Sequence, residues 1–228
     1  MISFTPLFAA AAVASAPCPA DQTPPAHVCR ALEAQAAGNP ADGAARFEQA
    51  AAASPAGDPA QSRMLAAAGN LWISAGQPGK AAIALDRALV GTGLKAEQHG
   101  LALLDRARAA EAQGDLKTAR TKVTEAAKTI AEDPYLWFFS AALAIREDDI
   151  PTAQSAIARA LRMAPDSPEI MFEAGHVAQA AGDPKTAREH WQRAMAADPK
   201  GKAGQSARDA LAMLDVPITV APASKDSK

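Results

Sequence analysis

The sequence predicts an all-α chain built as an α-solenoid: about five helical hairpins stacked in line and closed by one C-terminal capping helix. Three observations carry that expectation. Small residues recur at fixed steps of 38 or 34 along the chain. A polar turn splits each recurring unit in two. The 49 % hydrophobic share is mostly alanine, with only 4 % aromatic residues, so each helix buries little area and helices must stack closely rather than surround one thick core.

The clearest unit is Pro168 to Pro199, PEIMFEAGHVAQAAGDPKTAREHWQRAMAADP. Ile170, Met171, Ala174, Val177, Ala178 and Ala181 fall at three- and four-residue steps, which puts them on one helical face. Gly182 stops that helix, Asp183 caps the next, and Pro184 suits a first helical position, where its missing N–H costs nothing. Ala187, Trp191 and Ala194 form the face of the second helix. Two helices of this length cannot bury a face alone, so the unit needs copies beside it.

The copies begin near residues 24, 62, 100, 134 and 168. The small residue of each first helix is Ala31, Gly69, Ala107, Ala141 and Gly175. In the second helices the small column is Gly43, Ala81, Ala119, Ala153 and Ala187. A bulky column follows, Phe47, Leu85, Val123, Ile157 and Trp191, and then Ala50, Ala88, Ala126, Ala160 and Ala194. The hairpin turns are Gly38-Asn39, Gly76-Gln77, Gly114-Asp115, Asp148-Asp149 and Gly182-Asp183. Trp72, Trp137 and Trp191 are expected to fill the wider gaps between helices. Residues 202–214 read as the cap, with Ala203, Ala207, Ala210, Leu211 and Leu214 on its inner face. The stretch 215–228, with two prolines and scattered charge, reads as a disordered tail.

On these columns the chain resembles the tetratricopeptide-repeat family, whose unit is a helix–turn–helix of about 34 residues. The resemblance spans about Pro24 to Pro199 within a solenoid of residues 21–201, and it implies a right-handed superhelix. Pro55, Pro165 and Pro199 stand at the family's closing position. The sequence departs from the pattern in three places. The second and third copies are stretched by four residues, expected at Val90–Lys95 and Thr129–Asp133, and His27 replaces a bulky apolar residue, which suggests a frayed first copy.

The resemblance also implies a surface. First helices of successive repeats line a concave groove, and the residues transferred to it are Arg63, Asn70, Leu104, Arg108, Tyr135, Phe138, Phe172 and His176. Phe138 and Phe172 have the alternative of packing between helices as core. The groove implied is apolar and aromatic in the middle, with Arg63, Arg108 and His176 around it, suited to an apolar segment with an acidic neighbour. The family's carboxylate clamp for chaperone tails is not kept: Asn70 is present, but Asp105, Tyr135 and Phe139 occupy columns that should be Asn or basic. The expected partner is therefore a protein or peptide segment of another kind. The alternative is a structural subunit held through its convex face or ends. Oligomeric state is not legible.

No catalytic constellation stands out. His27, His99, His176 and His190 make no metal-ligand spacing and read as surface or rim residues. Gly91-Thr92-Gly93 is a helix stop, and Glu147-Asp148-Asp149 is an inter-helix turn. The expectation is no enzyme, no metal and no cofactor. The net charge of -2 and scattered basic residues exclude an electrostatic nucleic-acid footprint.

Residues 1–20 read as a signal peptide or, alternatively, a disordered N-terminus. Leu7 to Ala14 is a short apolar core, and Ala14-Ser15-Ala16 has the small-x-small form of a cleavage site. No basic residue precedes it, and a cut after Ala20 is the other option. Pro17 disfavours a lipid anchor on Cys18. Cys18 and Cys29 could close a disulfide in an oxidising compartment, with two free thiols the alternative. The localisation expected is periplasmic or secreted, otherwise cytoplasmic, with no membrane span in the mature chain.

Overall fold

The computed structural model describes residues 17–214. The expected export signal and C-terminal tail lie in large part outside them. All regular structure among the described residues is helical: α1 (Pro24–Ala36), α2 (Pro40–Ala53), α3 (Pro59–Ser74), α4 (Pro78–Val90), α5 (Ala96–Ala112), α6 (Leu116–Ala126), α7 (Pro134–Arg146), α8 (Ile150–Met163), α9 (Pro168–Ala180), α10 (Pro184–Ala197) and α11 (Lys202–Leu214). Consecutive pairs from α1–α2 to α9–α10 form five hairpins, each packed on the next, and α11 lies against α9 and α10. The chain is an α-solenoid.

The hairpin turns share one construction. At the first turn position φ is +74° in Gly38, +67° in Gly76, +81° in Gly114 and +77° in Gly182, and the fourth repeat puts Asp148 there at +59°. The next N–H reaches back to the carbonyl of Ala34, Trp72, Ala110, Ala144 or Ala178, at 2.9 Å each time. That bond satisfies a carbonyl the helix end would otherwise leave unpaired. The following helix is then capped by the turn's own side chain: Asn39 accepts from Asp42 N, Asp115 from Thr118 N, Asp149 from Thr152 N and Asp183 from Thr186 N. Hydrogen bonds from those threonines hold the carboxyls of Asp115, Asp149 and Asp183 below the usual carboxylate range.

Every residue of the four repeat columns is buried, in all five copies. Close approach of the helices requires this, because each column sits at a crossing. A Cβ on Gly69 would lie 2.8 Å from Leu85 Cδ2, and one on Gly175 would lie 2.7 Å from Trp191 Cε2. Both glycines leave room for a bulky partner from the second helix of the same hairpin. Each buried methyl contributes only about 0.8 kcal/mol, so the stack is held by many small contacts between neighbours. Ala203 and Ala207 anchor α11 to the last repeat, with Ala210, Leu211 and Leu214 partly buried beside them.

Two expectations need correction. The extra residues of the stretched copies enter chiefly as helix rather than as loosened turns. Helices α3 and α5 run 16 and 17 residues, against 13 for α1, α7 and α9, and the added turn is N-terminal to the small column. Only the α6–α7 connection, 127–133, is long. Second, the first repeat is not frayed at His27. That side chain is 5 % exposed, and its Nδ1 lies 3.2 Å from an Arg30 guanidinium nitrogen. Arg30 in turn donates to the backbone carbonyls of Pro19 and Asp21. Cys18 is joined to Cys29 by a disulfide with Cα atoms 5.7 Å apart, so the coil before α1 is fastened to that helix.

Candidate functional site

The first helices of the hairpins, α3, α5, α7 and α9, carry the candidate groove residues, and the two halves of that row differ in chemistry. The N-terminal half is polar, and its charges are already paired. Asp105 accepts from Asn70 Nδ2 and from an Arg108 guanidinium N–H, both at 2.9 Å. Arg146 pairs with Glu111 across α5 and α7. Arg63 donates to the Gly93 carbonyl at 3.2 Å, in the α4–α5 connection. A depression of about 180 Å³ lies among Arg63, Ala66, Leu94, Gln98, Leu101 and Asp105.

The C-terminal half is aromatic. Tyr135 is 52 % exposed at the start of α7. Its ring stands edge-on to Phe138, one turn later, with centroids 6.2 Å apart. On α9, Phe172 and His176 lie with ring centroids at 4.4 Å, and His176 is edge-on to Trp191 at 5.6 Å. Trp191 Nε1 donates to the Phe172 carbonyl at 3.0 Å, so this aromatic cluster is fixed to the backbone. A cleft of about 420 Å³ opens beside it, with Ile145, His176, Gln179 and Trp191 on one side and Ala210, Met213 and Leu214 of α11 on the other. The capping helix thus forms one wall of the groove's end, which the sequence did not reveal.

The candidate residues divide accordingly. In the aromatic half, Tyr135 pairs with Phe138 on α7 and Phe172 with His176 on α9. Asn70 and Arg108 meet at Asp105, and Arg63 stands apart on the α4–α5 connection. Leu104 does not belong to the groove. It is 7 % exposed and packs with Ala107, Val123 and Leu136, because its side chain turns toward α6 and α7; the neighbouring Leu101, 41 % exposed, faces solvent instead. Phe138 and Phe172 each pack partly against core clusters while keeping an accessible edge. The cations behind the acidic-neighbour expectation each interact within the fold. Arg108 is committed to Asp105, Arg63 to a carbonyl, and burial pushes the His176 imidazole below its ordinary pKa, toward the neutral form.

One residue was not anticipated. The Glu173 side chain is 12 % exposed, and its nearest cationic group is His176 Nδ1, 3.8 Å away. Burial raises its pKa to about 7. The separation is too long for a hydrogen bond, and burial works against both charges, so the contact is not a salt bridge. Comparing α9 with α5 column by column would have found it, since Glu173 stands where Asp105 stands.

Among the described residues, the one cluster with metal-ligand proximity is Cys18, Cys29 and Glu33, and both of its sulfurs are spent in the disulfide. No described helix is long and apolar enough to cross a membrane.

Comparison with known proteins agrees with this architecture. A tetratricopeptide-repeat family model matches residues 30–97 and 140–202. No curated protein sequence matches the chain. Among solved structures, PilW, described as a widely conserved type IV pilus biogenesis factor, aligns with a TM-score of 0.66 at 16 % identity, covering 79 % of this chain and 80 % of that one. The pilF protein of Pseudomonas aeruginosa aligns at 0.65 and 14 % identity, covering 83 % and 82 %. YrrB, described as a TPR protein with an unusual peptide-binding site, aligns at 0.57 and 15 % identity, covering 81 % and 91 %. At these identities the structures share a fold with this chain. The family match spans more than half of the chain, and it takes in the buried repeat columns of the first, second, fourth and fifth hairpins: the chain belongs to the tetratricopeptide-repeat family.

Proposed function

We propose that this chain is a non-catalytic scaffold that holds a protein segment in its concave groove, anchored by apolar side chains at the aromatic half. Family members generally serve as protein-interaction modules, and the groove's composition adds the mode. The observation that carries the reading is the contrast between the halves: polar groups are paired internally around Asp105, whereas Tyr135, half exposed, stands edge-on to Phe138 on α7, and Phe172 and His176 form a second aromatic pair on α9. Aromatic side chains give large contact area at small entropic cost, which favours them at binding hot spots. The test is capture of partners from extract by the full chain and by a Tyr135→Ala, Phe138→Ala variant. Loss of the wild-type partner in the variant supports the groove.

A second reading has its own observation. Ile83 and Val90 on the outer helix α4 are 63 % and 88 % exposed, apolar groups on the convex side. A partner retained by the groove variant but lost on Ile83→Asp would make the chain a subunit held by its outer face.

The location we propose is the cell envelope. A disulfide between Cys18 and Cys29 persists in an oxidising compartment, and one structure of like fold is described as a type IV pilus biogenesis factor. A cut after Ala16 would keep Cys18, while one after Ala20 would remove it. Mass spectrometry of the native N-terminus decides between them, and an intact Met1 would contradict export.

A further inference from the structure

Glu173 and Asp105 occupy the same repeat position on α9 and α5, and their surroundings differ in one respect. Asp105 receives a donor from Asn70, one residue past the small column of the preceding inner helix, and a second from Arg108, at the equivalent place on its own helix. Around Glu173 those two positions are Ala142 and His176. Ala142 has no donor. His176 stops at 3.8 Å, and burial holds its imidazole toward neutral. Among the described residues the Glu173 carboxyl has no hydrogen-bond partner, and desolvation alone sets its raised pKa. An enclosed acid without a donor is a standing free-energy cost, and a cation brought to it relieves that cost. Its neighbour His176 lies against Phe172 on the same helix, with ring centroids 4.4 Å apart. Aromatic side chains so placed suit a long aliphatic stem ending in a charge and add attraction between ring and cation.

We propose that Glu173 is the cation-accepting point of the groove, and that the bound segment places a lysine or arginine side chain there, flanked by apolar residues. The proposal rests on the groove reading and specifies its ligand. It reverses the charge that a groove ringed by Arg63, Arg108 and His176 would select.

The test is selection of a displayed random-peptide library on the full chain, on Glu173→Gln and on Phe138→Ala. The Gln side chain keeps the shape and removes the charge, and circular dichroism verifies that each variant is folded. Wild type should enrich peptides with one basic residue among apolar ones, and Glu173→Gln should lose the basic preference while keeping the apolar one. For a synthetic enriched peptide, Glu173→Gln should weaken binding about tenfold or more. Replacing the peptide's basic residue by norleucine should do the same on wild type and little on the variant. Apolar enrichment without a basic residue on both proteins would leave the groove reading standing and overturn this proposal. Acidic enrichment would overturn it as well. No enrichment, or enrichment unaffected by Phe138→Ala, would remove the groove reading and this inference together. Wild-type dimers that Glu173→Gln dissociates would make a second copy the occupant and overturn the free segment.

Discussion

The indole of Trp191 occupies the space that Gly175 leaves by having no side chain, and it is locked there by its hydrogen bond to the Phe172 carbonyl. Two effects oppose each other if that glycine becomes alanine. Alanine gains up to about 1 kcal/mol in helix propensity, but the new Cβ strikes a rigid, buried ring, and overpacking of this kind costs typically about 1–3 kcal/mol. The clash wins, so Gly175→Ala should lower stability by roughly 1–2 kcal/mol in urea unfolding. Gly79, exposed on α4 with only the Gln113 side chain near, is the control: Gly79→Ala should stabilise by about 0.5 kcal/mol. Equal effects at the two glycines would refute the crossing geometry.

Asp148 is the only described non-glycine residue with positive φ, at +59°, and four other turns put glycine at its position. Aspartate tolerates the left-handed region better than most residues, though not freely. Asp148→Gly should therefore be neutral or stabilising by up to about 0.5–1 kcal/mol, while Asp148→Val should destabilise by more than that. A stabilised valine variant would contradict the turn assignment.

Stability near neutral pH should carry a signature of Glu173. Its pKa in the fold is about 7, against an ordinary 4.5, so between those values the native chain holds a proton that the unfolded chain has released. Its contribution is complete below about pH 4.5 and is lost as pH rises through about 7. The shift bounds the effect at roughly 3 kcal/mol. His176 and His190, pushed below their ordinary 6.5 by burial, act with the opposite sign and lose stability as pH falls. The difference between wild type and Glu173→Gln separates them. The Gln variant should gain relative stability from acid toward about pH 8, and a difference that does not change with pH would contradict the burial of Glu173.

Reduction of the Cys18–Cys29 disulfide should act locally. In the chain-entropy view, closing a loop of this size contributes about 2–3 kcal/mol, and in a linear stack each repeat touches only its neighbours. Hydrogen exchange after reduction should speed up in α1 and leave α7 to α10 unchanged. A uniform loss of protection would show that the solenoid unfolds as one unit.

Much of this architecture was legible because its determinants are local and repeated. A glycine or aspartate at a turn, a small residue at a crossing and a bulky residue facing it appear at the same step in every copy, and burial follows from that periodicity. The groove was less legible. Whether Leu104 or Leu101 faces outward depends on the rotation of α5, which its extra N-terminal turn does not announce. Which charges are free depends on side chains meeting across repeats, as Asn70, Asp105 and Arg108 do. Spacing within one repeat says nothing of this, so the cations looked available and Glu173 looked ordinary. His27 was misread for the same reason: its partner Arg30 is held by the coil around Pro19.

The central claim is that the aromatic half of the concave face holds the partner, and calorimetric titration of an identified partner segment tests it most directly. Phe138→Ala should weaken binding more than tenfold, about 1.4 kcal/mol, with Ile83→Ala on the outer helix binding as wild type does. Unchanged affinity in Phe138→Ala together with loss in Ile83→Ala would contradict the account and move the interface to the convex side.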